Sequence, residues 1–467
     1  MCRKTLLAII VLLCGLDTSA WAQRVQIRDV QLTGNEKTRA KVIFRELDLQ
    51  PGTDIELAEL EARFEKNRLQ LLSTGLFNDV VLNLSNYDAD SQKTDILIAL
   101  EENWYLFPVP IFELADRNFT VWIKEQGARL NRTNIGFRLG HYNFSGSRDP
   151  FRVKVHFGYT RKYEVTYDYP YLALDNTLGL GGSVFYSENR EIAFATLNNK
   201  TQFHREEDER RLLARFRIGP QLKYRPSLYS YHSLRLEYHH NSVADIVAQE
   251  LNPDYFREGR TDLRFFFVEY DFNYDRRLYS QYPQGGYLLF ANVKKEGLGL
   301  FGDYDNFSVT AGLEWHKTLG EKFIYSTRHK AKSNLNRAVV AFANNTGLGW
   351  DRDIVSGYEL YVLDGTDYYI GMNDLKWKVV DRNMNTVKWM PKQFQKMNLI
   401  AFLRVNFDFA IVNEQTYTDT NNLNNRWIYG GGPALDLIFF NNFLFSFEYS
   451  FNDLGEHGLF LHNSITF

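Results

Sequence analysis

Residues 442–467 read NFLFSFEYSFNDLGEHGLFLHNSITF, and this stretch decides the fold. Phe443, Phe445, Phe447, Tyr449 and Phe451 place an aromatic ring at every second position, with Ser446, Glu448 and Ser450 between them. Side chains alternate faces along a strand, so the segment has one apolar and one polar wall. After the turn-like Asn452-Asp453-Leu454-Gly455, a last strand carries Leu459, Leu461, Ile465 and Phe467 on its apolar side. A soluble β-sandwich alternates too, but aliphatic side chains do most of its core filling, whereas a lipid-facing band favours aromatics. The chain holds 36 Phe, 28 Tyr and 8 Trp, and the pattern recurs along most of it, so a transmembrane antiparallel β-barrel is expected.

The same alternation appears in Phe151–Tyr159, Tyr163–Tyr169, Ala214–Lys223, Leu234–His239, Phe266–Tyr274, Phe307–Trp315 and Ala401–Phe409. Arg215, Arg217, Lys223, Arg235, Glu237, Glu269, Asp271, Glu314, Arg404 and Asp408 fall on the polar side, which predicts a lumen carrying both signs of charge. The candidate strands number about sixteen, within the range of single-chain barrels. Glu188–Arg210, Ser242–Thr261 and Asn413–Asn425 are expected as long extracellular loops, and the run His204–Arg211 as a solvated face of one of them.

The chain has 467 residues and a formal net charge of −3, so bulk charge does not point to nucleic acid. Met1 to Ala22 has Arg3 and Lys4, an apolar run from Leu6 to Leu16, and Ala20-Trp21-Ala22, the pattern of a signal peptide cleaved before Gln23. A lipoprotein reading through Cys14 is weaker, because Leu13 precedes it. Both cysteines, Cys2 and Cys14, lie in this leader, which excludes disulfides, thiolate catalysis and cysteine metal sites from the expected mature chain. No later segment supplies the ~20 continuous apolar residues of a membrane helix. The outer membrane of a Gram-negative envelope is the expected location.

Residues 23–103 read as a small α/β domain of order β-α-α-β-β, followed by the barrel at 104–467. Its strands centre on Val25–Leu32, Val80–Leu84 and Thr94–Leu100, and its helices on Lys37–Leu47 and Glu56–Leu72. Gly34-Asn35, Thr38, Ile43-Phe44-Arg45-Glu46-Leu47, Gly52 and Leu72-Ser73-Thr74-Gly75-Leu76-Phe77 make it resemble a POTRA domain. Such periplasmic domains precede the barrels of the BamA/TamA-type outer-membrane assembly-factor superfamily, and this chain looks like a short, single-POTRA member. The resemblance implies a periplasmic POTRA domain and an even strand number, since both ends of the barrel would then face the periplasm. Asn143–Asp149, Asp168–Tyr171 and Asp275–Gly285 resemble the family's periplasmic turns.

Ile354-Val355-Ser356-Gly357-Tyr358-Glu359 resembles the superfamily loop that folds back into the lumen and carries an Arg-Gly-aromatic signature. Gly357 and Tyr358 match its last two positions; Ser356 stands where the family has arginine, so that charged contact is not carried over. Val355 to Glu359 is accordingly the candidate motif, placed four strands before the C-terminus. Tyr429-Gly430-Gly431-Gly432-Pro433 resembles the family's penultimate region. Gly430, Gly431, Gly432 and the C-terminal Phe467 are expected near the seam between first and last strands, where Pro433 weakens pairing; barrel curvature alone would also account for the glycines.

No catalytic, cofactor-binding or metal residues are assigned. His239 and His240 point to opposite faces of a strand, Gly179-Leu180-Gly181-Gly182 lacks a Walker lysine, and Asp303-Tyr304-Asp305 and Asp364–Asp367 lack full calcium-ligand spacing. The resemblance implies a factor for protein insertion or translocation, with the lipid bilayer and unfolded clients or envelope partner proteins as its partners. It would need no cofactor, because the client's own folding drives the work. A transport or secretion pore, or a non-conducting structural partner of envelope complexes, is the alternative.

Overall fold

The computed structural model describes residues 24–116, 118–170, 177–278, 282–301, 304–336, 340–351, 353–385, 396–416, 418, 421–439 and 443–465. The expected leader at 1–22, Tyr171, Asp303 and Phe467 lie outside these residues. The chain divides into two units, one running to Tyr105 and taking in Tyr142–Asp149, the other formed by Leu106–His141 and the chain from Pro150 onward.

The first unit comprises β1 (Arg24–Thr33), α1 (Ala40–Arg45), β2 (Asp54–Glu56), α2 (Leu60–Ser73), β3 (Phe77–Asp88) and β4 (Lys93–Glu102). Its sheet runs β2-β1-β4-β3, with β1 parallel to β4 and the other pairs antiparallel. β2 is an addition to the expected β-α-α-β-β order. Three residues are too few to show a period, yet they pair with Arg24–Gln26. The core is aliphatic, with Ile27, Ile43, Leu49, Leu71 and Ile96 all buried. Leu57, within the stretch Glu56–Leu72 expected as the second helix, sits exposed in a 3₁₀ turn before α2. Buried Asn67 fastens α2 to the preceding loop, accepting from the Asp48 N–H at 2.9 Å. Beside the sheet's other end, Arg28 donates two hydrogen bonds to Asp95, at 2.8 and 2.7 Å. These bonds and a third from Asn86 hold the Asp95 carboxyl down at about 2.

The second unit is a sixteen-stranded antiparallel sheet. Its strands are β5 (Leu106–Leu114), β6 (Thr133–His141), β7 (Phe151–Gly158), β8 (Thr160–Tyr169) and β9 (Leu178–Asn189). A hairpin, β10 (Glu191–Leu197) and β11 (Lys200–Arg205), interrupts the series. It resumes with β12 (Leu213–Tyr224), β13 (Ser230–Val243), β14 (Asp262–Asp275), β15 (Gly286–Glu296), β16 (Asn306–Leu319) and β17 (Phe323–Asn334). Two short strands, β18 (Thr346–Leu348) and β19 (Leu363–Asp364), pair with each other. The sheet ends with β20 (Asp367–Asn385), β21 (Lys396–Asn413), β22 (Trp427–Phe439), β23 (Phe443–Asn452) and β24 (His457–Ile465). A short helix, α3 (Phe119–Lys124), lies between β5 and β6.

Strand directions alternate, so connections 190–212, 244–261, 335–366 and 414–426 share the end opposite to where the chain enters at Leu106. The aromatic alternation on β23 maps onto two environments. Phe447, Tyr449 and Phe451 are 42%, 39% and 49% exposed, while Ser446, Glu448 and Ser450 are buried. Ile218, Leu234, Leu236, Leu403, Val405 and Phe407 are likewise exposed on the outer face. So broad an apolar exterior has no place in water, where burying it is worth roughly 25 cal/mol per Å²; it suits hydrocarbon. The inner face is polar, and many of its charges are paired. Arg404 on β21 reaches Asp374 on β20 at 2.9 Å, Asp436 on β22 at 3.0 Å and Glu448 on β23 at 2.9 Å.

Candidate functional site: the loop folded into the barrel

The connection from β17 to β20 turns inward, and five sheet strands follow it, not the four expected. Val355, Ser356, Tyr358 and Glu359 are all buried. Ser356 donates twice to Asp408 on β21, from its N–H at 3.1 Å and its hydroxyl at 2.7 Å. Asn406, two residues away on the same face, donates to Ser356 Oγ at 2.5 Å and to Glu448 at 3.0 Å, and its own oxygen accepts from the Gly432 N–H at 2.7 Å. A hydroxyl and a backbone N–H of Ser356 thus meet the Asp408 carboxylate.

The two glycine positions have steric causes. Gly357 has φ +82°, and its carbonyl accepts from Asn452 at 2.8 Å. A Cβ on Gly430 would stand 1.7 Å from the Ser356 carbonyl oxygen, so a side chain there and a docked loop are mutually exclusive. Gly430, Gly431 and Gly432 lie on β22, two strands in from β24. The β22–β23 register passes from Gly431–Phe451 to Ala434–Glu448, skipping Gly432 and Pro433.

Further along, the Tyr358 hydroxyl donates to Asp453, and that of Tyr361 to Glu456 at 2.8 Å, both acceptors belonging to the β23–β24 turn. Asn118 caps α3 by accepting from the Val121 N–H at 2.8 Å, while its amide donates to the Glu359 carbonyl at 2.8 Å. Glu359 Oε1 lies 3.7 Å from His462 on β24. The motif therefore touches β21, β23, β24 and the β5–β6 connection.

A second attachment comes from the β10–β11 hairpin. Its tip residues Asn198 and Asn199 have φ of +52° and +58°, the left-handed pair of a tight hairpin turn. The Asn199 carbonyl accepts from the Val362 N–H at 2.8 Å. The Asn199 N–H donates to Asn421 at 2.8 Å, its amide donates to Asn424 at 3.1 Å, and its side-chain oxygen accepts from the Leu423 N–H at 3.1 Å. At the base of the hairpin, buried Arg132 bonds Asp116 at 2.7 Å and pairs with Glu191. This hairpin was hidden in the expected loop Glu188–Arg210, although two alternating runs flanking Asn-Asn are its sequence signal. The charged run that begins at His204 is largely paired with itself, through His204–Glu206 at 2.6 Å, Arg210–Glu206 at 3.0 Å and Arg205–Glu209.

Residues 143–371 match the Omp85 superfamily domain, and residues 25–103 match the POTRA family described as surface antigen variable number repeat. BamA from Haemophilus ducreyi lacking POTRA domains 1–3 is similar in structure, with a TM-score of 0.57 at 14% identity, over 95% of this chain and 85% of that one. CdiB from Escherichia coli gives 0.57 at 12%, over 95% and 76%. CdiB from Acinetobacter baumannii gives 0.53 at 12%, over 95% and 74%. No curated protein matches the chain in sequence. With a POTRA domain, a sixteen-stranded barrel and these matches, the chain belongs to the BamA/TamA-type Omp85 superfamily of non-enzymatic outer-membrane barrels.

Proposed function

We propose that the protein resides in the outer membrane, with its POTRA domain in the periplasm, and assists insertion or translocation of other envelope proteins. The observation that carries this reading is β3. Among the described residues it forms one edge of its sheet, pairing with β4 on one side only, and it exposes Val81, Leu84 and Tyr87. Such an edge, 12 residues long, can take an extended client segment main chain to main chain. The docked loop would brace the wall while a client strand forms beside β5 or β24, the two strands that end the described ladder. β5 contains Pro108 and Pro110, neither of which has an N–H to contribute.

The test reconstitutes the full chain in liposomes and follows folding of an unfolded porin added from outside. Faster folding than in empty liposomes, lost on deletion of residues 24–103, is the expected result. Failure to accelerate any of several clients overturns this reading, and single-channel conductance then separates a pore from a structural partner.

A further inference from the structure

We infer that the barrel lumen contains an oxyanion-binding site, built on Arg215 and Arg217 of β12, that takes a phosphate group. The two residues are spaced i, i+2 and face inward together, onto a cavity of about 280 Å³. Most cations and carboxylates around it are already matched. Arg235 binds Glu269 at 2.8 Å, Lys294 approaches Glu296 at 3.6 Å, and Glu237 meets His239 at 2.9 Å.

Arg215 and Arg217 are different. Among the described residues no carboxylate lies within 4.0 Å of either guanidinium. Arg215 donates one long bond, to Asn189 at 3.3 Å, and Arg217 lies 4.9 Å over the Phe185 ring. The Nε of each is buried without a hydrogen-bond partner. Two adjacent guanidinium groups repel each other, and a partly buried cation that no carboxylate meets in an ion pair is costly. A ligand bearing at least one negative charge and several acceptor oxygens removes both costs at once.

The donor geometry selects within anions. A guanidinium presents a planar fork of N–H groups that matches phosphate, and two forks on one face suit a tetrahedral group better than a spherical halide. The cavity exceeds a halide by far, and Tyr255, Phe256, Phe265 and Phe267 give it an apolar side that can lie against the organic part of a phosphate ester. Inorganic phosphate and a phospholipid headgroup share this chemistry.

The experiment titrates the full chain in detergent with inorganic phosphate at fixed ionic strength by calorimetry, and in parallel with short-chain phosphatidic acid. Arg215→Gln and Arg217→Gln are compared with the wild type, after heat-modifiable gel mobility shows each variant to be folded. Saturable binding of at least one probe, weakened tenfold or more in the folded variants, is expected. Phosphate binding identifies a free oxyanion as sufficient; binding of phosphatidic acid alone identifies the headgroup as the source. Wild-type protein that binds neither probe, or folded variants that bind as tightly as wild type, overturns the site.

Discussion

The inward loop is held at two places by different chemistry. At Ser356–Tyr361 its donors meet the carboxylates Asp408, Asp453 and Glu456, on a barrel strand and a tight inter-strand turn. At Val362 it meets Asn199 and, through it, Asn421 and Asn424, all neutral and all on loops. A hydrogen bond to a charged group contributes roughly 1.5–3 kcal/mol and a neutral one roughly 0.5–1.5. The hairpin attachment is therefore the weaker of the two, and it opens first, leaving the loop seated.

The largest effect should come from filling the space the loop occupies. Gly430→Val sets a side chain against the Ser356 carbonyl and should cost about 3 kcal/mol, seen as protease cleavage within 340–366 of an otherwise folded barrel. Asp408→Asn leaves Ser356 facing a neutral amide and should loosen the same loop by about 2 kcal/mol; similar protection in the two proteins would show that the charge is irrelevant. Asn199→Ala removes the hairpin's side-chain bonds at about 1 kcal/mol. It should raise cleavage within 190–212 and the frequency of conductance events, leaving 340–366 protected. If both segments open together in that variant, the two attachments form one cooperative unit and the ranking is wrong. The smallest effect lies in the POTRA domain. Its Asp95 carboxyl is held at about 2 against an ordinary value near 4, so its contribution is fully present above pH 4 and fades as pH falls towards 2. Asp95→Asn should flatten that acid limb of an unfolding profile monitored by circular dichroism of residues 24–105.

What was legible in the sequence follows from periodicity. The alternation on β23 announces its own environment, because each side chain reports one face. Asn198-Asn199 announced a hairpin that the polar composition around it obscured. The glycines at 430–432 show another limit: an absent side chain marks a close approach without naming the neighbour. Here the neighbour of Gly430 is Ser356, 74 positions earlier in the chain (430 − 356). Ser356 and Asp408 were each visible, one as a motif position and one as a lumen residue. Their pairing depends on strand register and loop path, which no local pattern encodes. Arg215 and Arg217 were likewise visible as polar-face residues, but that no described carboxylate forms an ion pair with them emerges only when every neighbouring strand is in place.

Arg404 gives the barrel a mechanical grain. Its carboxylate partners come from β20, β22 and β23, so one side chain spans four adjacent staves. Sliding any of them along its neighbour separates a buried charge from its partner, which costs about 3–5 kcal/mol. That panel resists shear and moves as a plate, so deformation of the wall concentrates at its borders, one of which is the join between β23 and β24.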